Sequence, residues 1–146
     1  MPEQETLERA REDEREGLSP STQAGEFVRE EMEHIRDGEH GARSPEQAIA
    51  IGLSQARRSG VRLPPPKRGR ARTKRQAKRD LAKGRRRKQP SLMRSRAVRG
   101  ALKRESRRSA SRKALSRHAR RAANARSATS RSAAARKAAR TRKRRR

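Results

Sequence analysis

The sequence contains no cysteine, tryptophan or tyrosine, and Phe27 is its only aromatic residue. Without cysteine there is no disulfide, no thiolate nucleophile and no thiolate metal site. With a single aromatic side chain there is no platform for stacking a series of unpaired bases, which counts against a dedicated surface for single strands or RNA. No run of 18 apolar residues occurs, and the acidic first residues do not form a secretory signal. We therefore expect a cytoplasmic protein that does not engage a membrane.

The chain is instead rich in positive charge. Its 146 residues include 44 Lys and Arg against 16 Asp and Glu, and only 28% of residues are hydrophobic. Such a composition buries little apolar surface to offset the entropy lost on ordering the chain. We expect part of this protein to be disordered or to fold only on binding.

The charge is divided unevenly along the chain. Residues 1–66 carry a net charge of −5 and residues 67–146 a net charge of +33, with three consecutive prolines at 64–66 between them. Prolines favour an extended polyproline conformation that cannot continue a helix. The sequence predicts an all-α protein with an acidic helical head at 1–63, a stiff linker at 64–66 that holds the halves apart, and a basic tail at 67–146.

Three helices are predicted in the head. The first, from Glu3 to Glu16, has Leu7 as its only large apolar residue and is expected to fray or to lie on the surface. The second begins at Ser19 and Pro20 and ends at Gly38. The third begins at Ser44 and Pro45 with a capping box that includes Gln47, and it ends at Gly60.

The second and third helices are predicted to form an antiparallel hairpin, because the loop between them is short. Ala48, Gly52 and Ala56 are small enough to let the partner helix approach closely. The residues expected to pack the hairpin or to meet a partner are Phe27, Val28, Met32, Ile35, Ile49 and Leu53. Because so small a core is marginal, a second copy of the chain or another protein is a possible partner of the head.

The tail changes character along its length. Charge repulsion is expected to keep residues 67–90 extended. From Ser91 onward alanine and arginine, both good helix formers, predict helices at Leu92–Glu105, Ala110–Ala125 and Ser132–Arg140. Because arginines repel each other in free solution, these helices are expected to form on binding nucleic acid.

The tail residues are the expected nucleic-acid contacts. Arginine outnumbers lysine there by 26 to 9, and its planar guanidinium can hold a phosphate through two hydrogen bonds. Such contacts release counterions and read no base sequence. The predicted contacts are Lys67, Arg68, Arg70, Arg72, Lys74, Arg75, Lys78, Arg79, Arg85, Arg86, Arg87, Lys88, Arg94, Arg96, Arg99, Lys103, Arg104, Arg107, Arg108, Arg112, Lys113, Arg117, Arg120 and Arg121.

No catalytic or metal site is predicted. No nucleophile is paired with a base, so the protein is not expected to be an enzyme or to need a cofactor. His34 and His40 have Glu30, Glu33 and Glu39 nearby in the sequence, but no HExxH spacing is present. These side chains are expected to be solvated polar residues.

Two head motifs, SPSTQAGEFVREE at 19–31 and HGARSPEQAIAIGLSQARR at 40–58, resemble a family of short bacterial proteins of unknown function with tails rich in Ala, Lys and Arg. The tail stretches ALKRE at 101–105 and SRKALSR at 111–117 are also similar to that family. The resemblance implies a bacterial setting and no activity. The tail composition also resembles the C-terminal arms of linker histones and bacterial histone-like proteins, although arginine dominates here.

These observations favour a nucleoid-associated, histone-like protein that binds and compacts duplex DNA independently of sequence. An RNA- or ribosome-associated basic protein is the nearest alternative, because charge alone does not separate the two nucleic acids. An interaction adaptor that works through the head hairpin is a third hypothesis.

Overall fold

The computed structural model describes residues 1–86 and 91–144, and every regular element in this part of the chain is helical. The all-α prediction is confirmed. The helices are α1 (Gln4–Arg15), α2 (Pro20–Asp37), α3 (Pro45–Arg58), α4 (Ala71–Arg86), α5 (Leu92–Lys103), α6 (Arg112–Asn124) and α7 (Ala128–Arg144), with a short 3-10 helix at Arg107–Ala110. None of them is long and apolar enough to span a bilayer.

The chain forms two compact units, Met1–Ser111 and Arg112–Arg146. The first unit is a helical bundle in which α2 packs against α1 and α3, and α3 also packs against α4. Its core is small and contains Ala10, Ala24, Phe27, Ala56 and Val61, with Leu7, Leu53 and Leu63 packed against it. The compact unit therefore continues through the proline segment into the basic sequence.

The predicted hairpin of α2 and α3 is confirmed. Gly38 ends α2 in the left-handed conformation at φ 86°, and the Ser44 hydroxyl accepts a hydrogen bond from the Gln47 amide at 3.2 Å at the start of α3. A Cβ on Gly52 would lie 2.8 Å from the Cα of Val28. The absence of a side chain at Gly52 is thus what lets the two helix backbones approach so closely.

The first helix is not a frayed surface helix as the sequence suggested. It packs on α2 and buries Thr6, Ala10 and Asp13. Arg9 extends from α1 to the carboxylate of Glu26 on α2, with Nε 3.1 Å from an oxygen. Leu7, Ala10 and polar contacts together therefore dock a helix that lacks an apolar stripe.

The expectation of an extended chain over 67–90 is wrong for the residues described there, because α4 is a helix of 16 residues. Alanine, arginine and lysine have high helix propensity, and packing against α3 supplies the stabilisation that propensity alone does not. The three prolines likewise do not hold α4 away from the head. Helix α4 instead packs directly against α3.

The three predicted tail helices exist with shifted bounds. The observed helices are α5, α6 and α7, and α7 begins four residues earlier than predicted. The Ser127 hydroxyl accepts a hydrogen bond from the Ser130 amide at 3.2 Å, which caps the start of α7. The structure thus describes a helical basic region, and a long disordered tail is not what it shows.

Candidate nucleic-acid interface

Helix α4 meets α3 through three residues that are spaced three and four apart. Ala77, Asp80 and Gly84 are buried, and this spacing places them on one face of the helix. Two of the three are small, so the helices can approach closely. A Cβ on Gly84 would overlap the carbonyl oxygen of Arg57, so only glycine fits there.

Asp80 is the polar centre of this contact. Its side chain is 1% exposed and lies 2.9 Å from Nε of Arg58, and it accepts hydrogen bonds from Ser54 Oγ at 2.8 Å and Gln76 Nε2 at 3.0 Å. A buried carboxylate is tolerated only with such partners. The only acidic residue of α4 therefore faces inward, and its charge is paired with that of Arg58.

Arg57 fixes the chain that leads into α4. Its Nε donates to the Leu63 carbonyl at 3.1 Å, and a terminal nitrogen donates to the Pro64 carbonyl at 3.3 Å. Burial lowers the pKa of Arg57, and the negative charge of Asp80 acts in the opposite direction. The buried guanidinium thus holds the start of the proline segment against the last turn of α3.

The remaining surface of α4 is almost wholly basic. Its basic side chains are exposed except for Lys74, which is half-buried. A helix of 16 residues is about 24 Å long, and duplex DNA presents one charge per roughly 1.7 Å. The exposed basic residues on or just before α4 are Lys67, Arg68, Arg70, Arg72, Arg75, Lys78, Arg79, Lys83, Arg85 and Arg86.

Lys83 was not among the predicted contacts, although it lies four residues after Arg79 on the same helix. Once 71–86 is known to be a helix, this spacing identifies it as a member of the basic surface. The predicted contacts Arg87 and Lys88 lie outside the described residues.

A second group of predicted contacts lies at the end of the first unit. The residues of this group are exposed on α5 and the 3-10 helix: Arg94, Arg96, Arg99, Lys103, Arg104, Arg107 and Arg108. This segment is joined to the α2–α3 loop by the Gly41 amide, which donates to Leu102 at 2.9 Å, and by the Ala42 amide, which donates to Ser106 at 3.1 Å. Arg36 of α2 also donates to the Ala110 carbonyl at 3.1 Å.

The second unit carries the remaining predicted contacts. They are exposed on α6: Arg112, Lys113, Arg117, Arg120 and Arg121. Neither α6 nor α7 buries a side chain. The guanidinium of Arg131 on α7 donates to the carbonyls of Arg126 at 3.0 Å and Ala123 at 3.3 Å, so it satisfies the end of α6.

The residues predicted to pack the head fall into two sets. Phe27, Met32 and Ile35 are buried within the first unit, whereas Val28, Ile49 and Leu53 are half-buried. Ala48, Gly52 and Ala56, whose small side chains could have served an adaptor surface, are also buried. They form the internal contact of the hairpin.

His34 and His40 are not the solvated residues that the sequence suggested. Their side chains are 18% and 13% exposed, and they lie beside the buried carboxylates of Glu30 and Glu31. Burial raises the pKa of Glu31, while His40 and His34 act in the opposite direction. Glu33, by contrast, is exposed.

Residues 20–68 match the model of a family of unknown function, DUF6496. This match confirms that the head motifs resemble an uncharacterised family, and it spans α2, α3 and the proline segment. No curated protein and no solved structure matches the chain.

Proposed function

We propose that this protein binds nucleic acid independently of sequence, with duplex DNA as the preferred ligand, and that α4 and the basic helices after it contact the phosphates. The exposed surface of α4 carries the proposal, because the only acid of this helix is buried against Arg58 while its basic side chains face outward. A fixed row of cations on a docked helix matches a regular line of phosphates.

The second unit supports the same function in a different way. Its α6 and α7 bury no side chain, and 15 Lys and Arg occur between Arg112 and Arg146. Helices without a buried face have little tertiary stabilisation. Phosphates would relieve the repulsion between the arginines of these helices, so this unit gains helix on binding. Its many positive charges would also bring distant duplex segments together, as in a histone-like, nucleoid-associated protein.

The direct test is equilibrium binding of the full chain to fluorescent duplexes of equal length and different sequence, with duplex RNA and single strands as competitors. If about ten phosphates are neutralised, log K falls with log salt at a slope near −9. A slope shallower than about −3, or a strong preference for one duplex sequence, contradicts the proposal. Tighter binding to RNA would identify the RNA-associated alternative.

Nuclease treatment of cell extracts separates the remaining alternatives. Partners that copurify through DNA are lost after DNase, and those held through RNA are lost after RNase. An adaptor that acts through the head retains its partners through both treatments.

A further inference from the structure

A cluster of histidine and glutamate side chains lies where the end of α2 meets the loop to α3. Glu31, His34 and His40 each offer one ligand atom within 4.8 Å of the others, and Glu3 and Glu30 form a second such group with His34. The two groups share His34. The cluster therefore brings together α2, the residue before α1, and the α2–α3 loop.

Two carboxylates of this cluster, those of Glu30 and Glu31, are deeply buried. The Glu31 side chain is 1% exposed and the Glu30 side chain 3%. Glu31 Oε1 and Glu30 Oε2 have no hydrogen-bond donor among the described residues. Buried carboxylate oxygens are costly unless they are protonated, paired or bound to a metal ion, and a cation between Glu31 and the histidines would satisfy the Glu31 oxygen.

The orientation of His40 points to the same conclusion. Its Nδ1 lies 3.1 Å from the Gly41 carbonyl oxygen, which can only accept, so Nδ1 carries hydrogen. In the neutral ring Nε2 keeps its lone pair, and it lies 3.5 Å from Glu31 Oε1. Two lone pairs then face each other across this gap, and a metal ion between the two atoms would bind both.

We infer that Glu31, His34 and His40 form a binding site for a divalent transition-metal ion, with Zn²⁺ as the best fit. Two imidazoles and one carboxylate suit zinc better than calcium or magnesium, which prefer sets of oxygen ligands. Bond lengths of about 2.0–2.2 Å require the three side chains to close around the ion.

Neighbouring residues orient two of the three proposed ligands, and an open cleft lies beside His40. Gln55 Nε2 donates to Glu31 Oε2 at 3.3 Å, and the Gly41 carbonyl orients His40, so two ligands are held by a second residue. His40 also lines an open cleft, which contains two acidic residues, Glu39 and Glu105, as well as Lys103 and Arg107.

Zinc bound here would join α2 to the loop that holds the end of the first unit. Gly41 and Ala42, directly after His40, hydrogen-bond to Leu102 and Ser106. Because a preformed site does not exist in the unfolded chain, metal binding adds to the stability of this unit.

The test titrates the metal-free full chain with Zn²⁺ alone, in competition with a chromophoric chelator. We expect one zinc per chain with a Kd of about 1 μM or below. Glu31→Gln and His40→Ala lower the affinity by about 100-fold or more, since even an outer partner costs roughly 10- to 100-fold. Glu33→Gln on the exposed side of α2 and His118→Ala in the second unit are the matched controls, and both keep wild-type affinity.

Absence of zinc binding by the wild type overturns the inference, and so does equal binding by the wild type and His40→Ala. An equal loss in the two controls also overturns it. If circular dichroism shows that Glu31→Gln does not fold, the comparison of the wild type with His40→Ala decides the question, because His40 lies in a loop and not in a helix. Zn²⁺ should also raise the Tm of the wild type and leave that of His40→Ala unchanged.

Discussion

The carboxylate of Asp80 lies 2.9 Å from the Nε of Arg58, and this contact ties the only acidic residue of α4 to the last residue of α3. Arg58 is 43% exposed, whereas Asp80 is 1% exposed. The ion pair therefore serves mainly to satisfy the buried carboxylate. It fixes which face of α4 is turned inward and leaves the basic face outward.

The first prediction concerns that carboxylate. Asp80→Ala removes two hydrogen bonds and the ion pair, and we expect the free energy of unfolding to fall by about 1–3 kcal/mol. Asp37→Ala removes an exposed acid from α2 and should change the free energy of unfolding by less than about 0.5 kcal/mol. Urea denaturation followed by circular dichroism measures both, and equal midpoints would show that Asp80 does not hold α4.

The second prediction compares two helical glycines. Gly84→Ala would force a Cβ into the Arg57 carbonyl, so we expect a loss of about 1–3 kcal/mol despite the better helix propensity of alanine. Gly100→Ala on α5 meets nothing within 4 Å and should gain up to about 1 kcal/mol. Thermal unfolding distinguishes the two. If both variants are more stable than the wild type, α4 does not lie as close to α3 as the structure shows.

The third prediction locates the DNA contacts. The triple variant Arg72→Gln, Arg75→Gln, Lys78→Gln removes three charges from the exposed face of α4, and the slope of log K against log salt should become shallower by about 3.

The matched control removes three exposed head arginines, in Arg11→Gln, Arg15→Gln, Arg62→Gln. It has the same net charge as the α4 variant, and its salt slope should stay close to that of the wild type. Fluorescence anisotropy at several salt concentrations measures both. If the two variants weaken binding equally, net charge rather than the α4 surface determines affinity.

The fourth prediction concerns folding on binding in the second unit. A peptide of residues 112–146 should show more helix by circular dichroism with duplex DNA than without it. Like charges three and four residues apart each oppose the helix by about 0.2–0.5 kcal/mol, and phosphates remove that penalty. High salt should produce part of the same gain by screening. An unchanged helical signal at saturating DNA would mean that this unit binds without folding.

Local signals in the sequence were sufficient to predict where helices α2 and α3 begin and end. Pro45 with the Ser44 cap, and Gly38 with its positive φ, act within a few residues of the chain, and the structure places helix ends where they occur. The close packing at Gly52 could also be predicted, because a small residue on an apolar face has few other roles. Helix α1 was misjudged, because Arg9 pairs with Glu26 on α2 and Thr6 is buried, and no local pattern in the sequence reveals either.

The sequence by itself determined the helical class, the ends of α2 and α3, and a concentration of positive charge that attracts a polyanion whatever the fold. Only the tertiary structure decided that α4 packs on α3, that Asp80 faces inward, and that His34 and His40 lie beside buried carboxylates. Net charge and helix propensity depend on residues that are close in the sequence, so both can be predicted from the sequence alone. Desolvation and pairing depend on residues that are distant in sequence, such as Ser54 and Asp80, and are settled only when the helices pack.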